Sequence, residues 1–246
     1  MATGTTQTET QRHVTGLTTD TRQTVGFSFY RVDPAWRRLP LAAKRAQGKE
    51  LARVVEAYSK KLMVRTYSLV GLKPDLDFLI WRVGNRPEEL QAMSAAIQQT
   101  AMGGYLTVPY SYLSMTKRST YVDKLDPEHQ DRRRFITFAG SKYLFVYPFV
   151  KMREWYQLPL EQRQAMMDEH IQVGNKYPSV RLHTTYSFGL DDQEFVVAFE
   201  TDSPKDFLDL VMELRETKGS QYTLRDTPIF TCIAKSFAEI VHDLSG

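Results

Sequence analysis

"YPFVKMREWYQLPLEQRQA", residues 147 to 165, has an echo earlier in the chain: "FYRVDPAWRRLPLAAKRA", residues 29 to 46. Trp36, Leu39, Pro40, Leu41 and Ala46 return as Trp155, Leu158, Pro159, Leu160 and Ala165, always 119 positions later. The same offset carries Thr66, Tyr67 and Ser68 onto Thr185, Tyr186 and Ser187, and "GLKPDLDFLIWRV" is then answered by "GLDDQEFVVAFE". This is an internal duplication, and it decides the fold.

Within each copy, β-rich runs such as "VGFSFYRV", "LMVRTYSLV" and "DFLIWRV" alternate with helical patterns such as "AAKRAQGKELARVVEAYS" and "RPEELQAMSAAIQQTA". The order β-α-β-β-α-β is the ferredoxin-like arrangement. The fold class expected is α+β, two fused ferredoxin-like repeats at residues 25–115 and 143–246. Residues 116–142 hold "KRSTYVDKLDPEHQDRRRF", whose charge and lack of period predict a linker loop. Residues 1–24, rich in Thr, Gln and Gly and without an apolar run, predict a disordered tail rather than a secretory signal or an anchor.

The chain has 246 residues, of which 42% are hydrophobic and 12% aromatic, enough to fill a sizeable core. A net charge of +3 is too small for the basic stripe that nucleic acid requires. The single Cys232 excludes an internal disulfide and a multi-cysteine metal site, and fits a reducing compartment. With no apolar run long enough to cross a bilayer, the expected location is the cytoplasm.

Duplication helps to separate packing from function, because a residue the fold needs should occur in both copies. The Trp and Leu-Pro signature does, so it reads as structural: Trp fills the core and Pro opens a helix at its first turn. Three residues of the second copy have no equivalent. His170 shares a helix face with Met166, Met167 and Val173, where the first copy has Leu51. It is either a hydrogen-bonded core histidine or a neutral imidazole able to ligate iron. Tyr147 stands where the first copy has Ser28, either as an ordinary strand aromatic or as part of a polar pair with Lys151, four residues on and on the same strand face. Pro148 implies an edge position or a pause in the ladder.

In order and spacing, "YPFVK", "EWYQLP", "DEHIQVGNKYP", "SFGLDDQEFVVAFET" and "ELRETKGSQY" resemble the chlorite dismutase-like superfamily, and within it the coproheme decarboxylases of bacterial haem synthesis. The resemblance covers nearly everything after the tail. It implies a dimeric α+β barrel built within one chain, subunits assembled as homopentamers, and one porphyrin site in the C-terminal half. It also implies roles: His170 as proximal iron ligand, Tyr147 as the tyrosine oxidised to a radical, and Lys151 beside the reacting propionate. Ser220 would bond a propionate, and Arg133, from "DRRRF", would neutralise another.

Two departures separate this chain from the chlorite dismutases it resembles. Those enzymes place an arginine over the iron. Counting back from Gly189 puts Leu182 at that position, whereas counting forward from His170 puts His183 there. They also carry a glutamate bonded to the proximal imidazole, where this chain has Gly219. In the actinobacterial type of decarboxylase a linker histidine serves as distal base, and His129 of "DPEHQ" is the candidate. The implied reaction uses hydrogen peroxide to convert two propionates of Fe-coproporphyrin III, both substrate and redox cofactor, into the vinyls of haem b. Chlorite dismutation and haem binding without chemistry are the rival readings.

Overall fold

The structure, a computed structural model, describes residues 22–121, 123 and 135–245. The tail and the two linker candidates His129 and Arg133 therefore lie outside the described residues. The chain divides into two compact units, Met1–Ser111 with Lys235–Gly246 and Tyr112–Ala234.

In the first unit the order is β1 (Thr24–Val32), α1 (Pro34–Arg37), α2 (Leu41–Ser59), β2 (Met63–Ser68), β3 (Phe78–Gly84), α3 (Pro87–Gln98) and then β4 (Leu106–Met115), which runs on into the second unit. β3 lies antiparallel between β1 and β2, with Ser28 opposite Ile80 and Thr66 opposite the same residue. All seven of its residues are buried, as a central strand with covered faces requires. Trp36 is fully buried and donates its indole N–H to Gln47 of α2 at 3.0 Å.

The second unit runs β5 (Tyr143–Lys151), α4 (Arg153–Gln157), α5 (Leu160–Asn175), β6 (Arg181–Tyr186), β7 (Phe195–Thr201), α6 (Pro204–Glu216), a 3-10 turn (Lys218–Tyr222), β8 (Thr223–Arg225) and β9 (Phe230–Ala234). β7 pairs antiparallel with both β5 and β6, with Tyr147 opposite Val197. On its other side β5 pairs with β9 over Tyr143 to Val146 and with β8 from Val150. Pro148 falls where the partner changes, so its missing N–H costs no ladder bond on that side. The closing helix α7 (Phe237–Ser245) belongs to the first unit and packs on α2. There Gly48 is indispensable, since a Cβ would stand 2.2 Å from Cγ1 of Val241.

One expectation needs adjusting. Pro40 and Pro159 sit one residue before their helices, at the N-cap, with extended backbone. Their carbonyls accept the first intrahelical bonds, from Lys44 and Arg163. A proline fits there because the position needs no amide donor.

Candidate functional site

Alternation along β5 puts Phe145, Tyr147, Phe149 and Lys151 on one face. Phe145 stacks on Phe207 of α6 at 3.9 Å between centroids, and Tyr147 on Phe199 of β7 at 6.0 Å. Val180 and Leu210 complete the cluster, with Leu182 and Val173 packed against it. Tyr147 is thus a buried phenol among apolar side chains. Burial above all, and then the negative charge of Asp226, raise its pKa, while Arg215 acts the other way. Arg215 and Asp226 form an ion pair with each other. Among the described residues the Tyr147 hydroxyl has no hydrogen-bond partner.

At the end of the same face, Lys151 donates from Nζ to the carbonyl of Gly219 at 2.7 Å and lies 4.3 Å from the Trp155 ring centre. Burial lowers its pKa to about 8 against the opposing pull of Glu194. The ammonium therefore titrates near neutral pH. Glu194 also accepts from the Lys151 amide at 2.8 Å and from the Tyr156 hydroxyl at 2.6 Å.

His170 projects from α5. Its pKa is lowered to about 4, first by burial and then by the charge of Lys151. The residue as a whole is only partly buried, although protein surrounds the imidazole closely enough to disfavour charge. The imidazole is neutral at neutral pH, and neither ring nitrogen has a partner among the described residues. The hydrogen-bonded core reading of His170 finds no support here. Moreover, α5 contains no fully buried residue in 16, so its inward face, with Met166, Met167, His170 and Val173, is only half covered.

The 3-10 turn approaches this helix: a Cβ at Gly219 would stand 3.9 Å from Met166, one turn before His170. No carboxylate reaches the imidazole from that position. Ser220 donates its hydroxyl to the carbonyls of Arg215 and Thr217, each at 2.7 Å, which leaves the oxygen only as an acceptor while those bonds last.

Register puts Leu182 and His183 on opposite faces of β6. Leu182 lies opposite Phe199 and packs against the cluster that contains Tyr147. His183 points to the other face, is 8% exposed, and is bound to Glu200 at 2.8 Å. The side chain that shares the Tyr147 face is apolar.

Sequence reading missed Glu194, Asp226 and Arg215. Glu194 could have been found from the duplication, because Asp77 bonds the amide of Val32 at 2.7 Å just as Glu194 bonds that of Lys151. That recurrence makes it a structural clamp on the strand end. Asp226 and Arg215 come from segments without a recognisable spacing and left no signal.

Among the described residues no group of three His, Cys, Asp or Glu side chains could hold a bare metal ion. A lone unpartnered imidazole facing a half-covered helix surface instead suits a metal that brings its other ligands with it, as iron in a porphyrin does. The family model for chlorite dismutase matches residues 44–235. The chain belongs to the chlorite dismutase family. It is an enzyme. Over 177 residues it is 33% identical to a coproheme decarboxylase of Mycolicibacterium smegmatis, covering 70% of this chain and 73% of that one. A coproheme decarboxylase of Staphylococcus carnosus is 31% identical over 160 residues, 61% of this chain and 64% of the other. Chlorite dismutase from Candidatus Nitrospira defluvii in complex with imidazole superposes with a TM-score of 0.83 at 28% identity, over 93% and 97% of the two chains. A haem-binding protein from Thermus thermophilus, 24% identical, shares the fold with a TM-score of 0.81 over 92% and 96%. The α+β fold with ferredoxin-like repeats is that of this family, and no described helix is long and apolar enough to cross a membrane.

Proposed function

We propose that this protein is a coproheme decarboxylase, using hydrogen peroxide to convert two propionates of Fe-coproporphyrin III into vinyls and release haem b. The observation that supports the reading is the company Tyr147 keeps: a buried phenol with no hydrogen-bond partner among the described residues, on the same face as Lys151 and with apolar Leu182 packed against its cluster. An iron porphyrin, once bound, would supply the oxidising equivalents together with peroxide. His170, neutral and with neither ring nitrogen bonded among the described residues, is the residue to hold the iron.

Tyr147 stays protonated, so an electron leaves it together with its proton, and the resulting phenoxyl takes a hydrogen atom from the propionate. For each propionate, carbon dioxide, one proton and two electrons are lost as the vinyl forms, and peroxide takes up that proton, one further proton and the two electrons to give two waters. Lys151 is the cation to hold the reacting carboxylate. Ser220 and Arg133 are assigned to other propionates, and Leu182 and His129 to the peroxide side. The same reading makes the protein a cytoplasmic homo-oligomer, a pentamer by family resemblance.

The test is to add peroxide to purified protein loaded with ferric coproporphyrin and weigh the porphyrin. The expected result is two successive losses of carbon dioxide with two hydrogens, and little oxygen evolved from chlorite in a parallel run. Unchanged porphyrin mass with rapid oxygen from chlorite reverses the assignment in favour of chlorite dismutation.

A further inference from the structure

The first repeat holds a buried positive charge with no negative partner. Arg82, on central strand β3, is 5% exposed. Its Nη1 donates to the Leu90 carbonyl at 2.9 Å and to Ser94 Oγ at 2.6 Å, and its Nη2 to Ser28 Oγ at 2.5 Å. All three acceptors are neutral. Nε has none. A guanidinium carries five N–H donors, so two remain unused. Among the described residues the side chain forms no ion pair, and burial lowers its pKa with only the Tyr30 phenol opposing. An unpaired buried charge is costly, and an anion alongside would offset that cost.

The room for one is present. A cavity of about 230 Å³ is lined by Arg82, Ser28, Tyr30 and Ser94, with Gln98 and Val108 at its exposed rim. Gly26 lets the strands pack closely beside Arg82: a Cβ there would stand 2.9 Å from Leu90 Cδ2 and 3.6 Å from Arg82 Nη2. The volume admits a small ion with a few waters and is far too small for a tetrapyrrole. The register also shows that this is a departure from the other copy. Gly26 faces Arg82 in one repeat where Phe145 faces Phe199 in the other. One sheet face has a guanidinium and hydroxyls, the other stacked rings.

We propose that this cavity is a second binding site, for a small monovalent oxyanion of the carboxylate or bicarbonate type. One positive charge calls for one negative charge, and the planar fork of the guanidinium with the flanking Tyr30 hydroxyl matches a planar group of two or three oxygens.

The experiment titrates the full-length protein with ¹³C-acetate and ¹³C-bicarbonate at constant ionic strength and follows their NMR linewidths. One saturable site is expected, with the two anions competing and the tighter one marking the source. Arg82→Gln should weaken binding by at least about tenfold, the loss of a charge-assisted hydrogen bond. Gln98→Glu, at the exposed rim, should weaken it several-fold through like charge and keeps the test decisive if the arginine variant does not fold. Lys151→Ala should leave it unchanged. Non-saturable binding, unaltered binding in Gln98→Glu, or loss of binding in Lys151→Ala would overturn the proposal.

Discussion

Helices α2 and α5 occupy the same place in their repeats and are packed in opposite ways. α2 buries Gly48, Leu51 and Val55, whereas α5 buries nothing completely. At the position where Leu51 is 0% exposed, the second copy carries the half-accessible His170. Strand registers beneath them agree: Ser28 faces Ile80 as Tyr147 faces Val197. A common backbone has therefore been finished twice, once with side chains filling the space under the helix and once with a helix face left half covered. The first copy is thus filled under its helix, and the second leaves the half-covered face that the proposed function uses.

The most severe challenge to that division is to give the second copy the residue of the first. His170→Leu should keep the fold but weaken iron-porphyrin binding by more than about 100-fold, since changes merely next to a metal ligand already cost roughly 10–100-fold. Resonance Raman spectra should lose any iron–imidazole signature. An unchanged spectrum would return His170 to the status of a core residue.

Next in size is a paired truncation. Leu51→Ala should destabilise the porphyrin-free protein by about 2–5 kcal/mol, as cavity formation in a filled core does. His170→Ala should cost less than about 1 kcal/mol, because little packing is lost. Chemical denaturation of the two variants gives the comparison directly, and equal losses would mean that α5 is packed like α2.

A further expected effect is on pH dependence. His170 has its pKa lowered from about 6.5 to about 4, so between those values the unfolded chain binds the proton that the folded chain refuses. Stability should then fall as pH drops through that window. The His170→Leu variant should show a shallower decline than wild type over the same range, and identical slopes would remove the buried neutral imidazole from the account.

Much of this contrast was legible in the amino-acid order. The duplication exposed the repeat, and its exceptions exposed Tyr147, Lys151 and His170, because a single chain aligned with itself distinguishes what recurs from what does not. Of the two readings of Pro148, an edge position or a pause in the ladder, the strand pairing matches the pause. What spacing could not reveal was contact across turns. Which of Leu182 and His183 shares the face of Tyr147 needed the β6–β7 register, since one residue of slip reverses every side chain in a strand. Asp226 and Arg215 reach the neighbourhood of Tyr147 from a helix end and a loop, and no periodicity links such segments. The packing of α7 on α2 was likewise invisible, as the helix lies beyond the second copy in sequence.

The most direct test of the central claim is one porphyrin mass spectrum, taken after peroxide is added to Tyr147→Phe loaded with ferric coproporphyrin. Removing a hydroxyl keeps the ring and its stacking on Phe199, so binding should persist, while the only change is loss of an oxidisable O–H from the apolar face of β5. The expected spectrum is that of unreacted coproheme, with both propionates intact. Formation of haem b at the wild-type rate would contradict the account and leave Tyr147 as an ordinary strand aromatic.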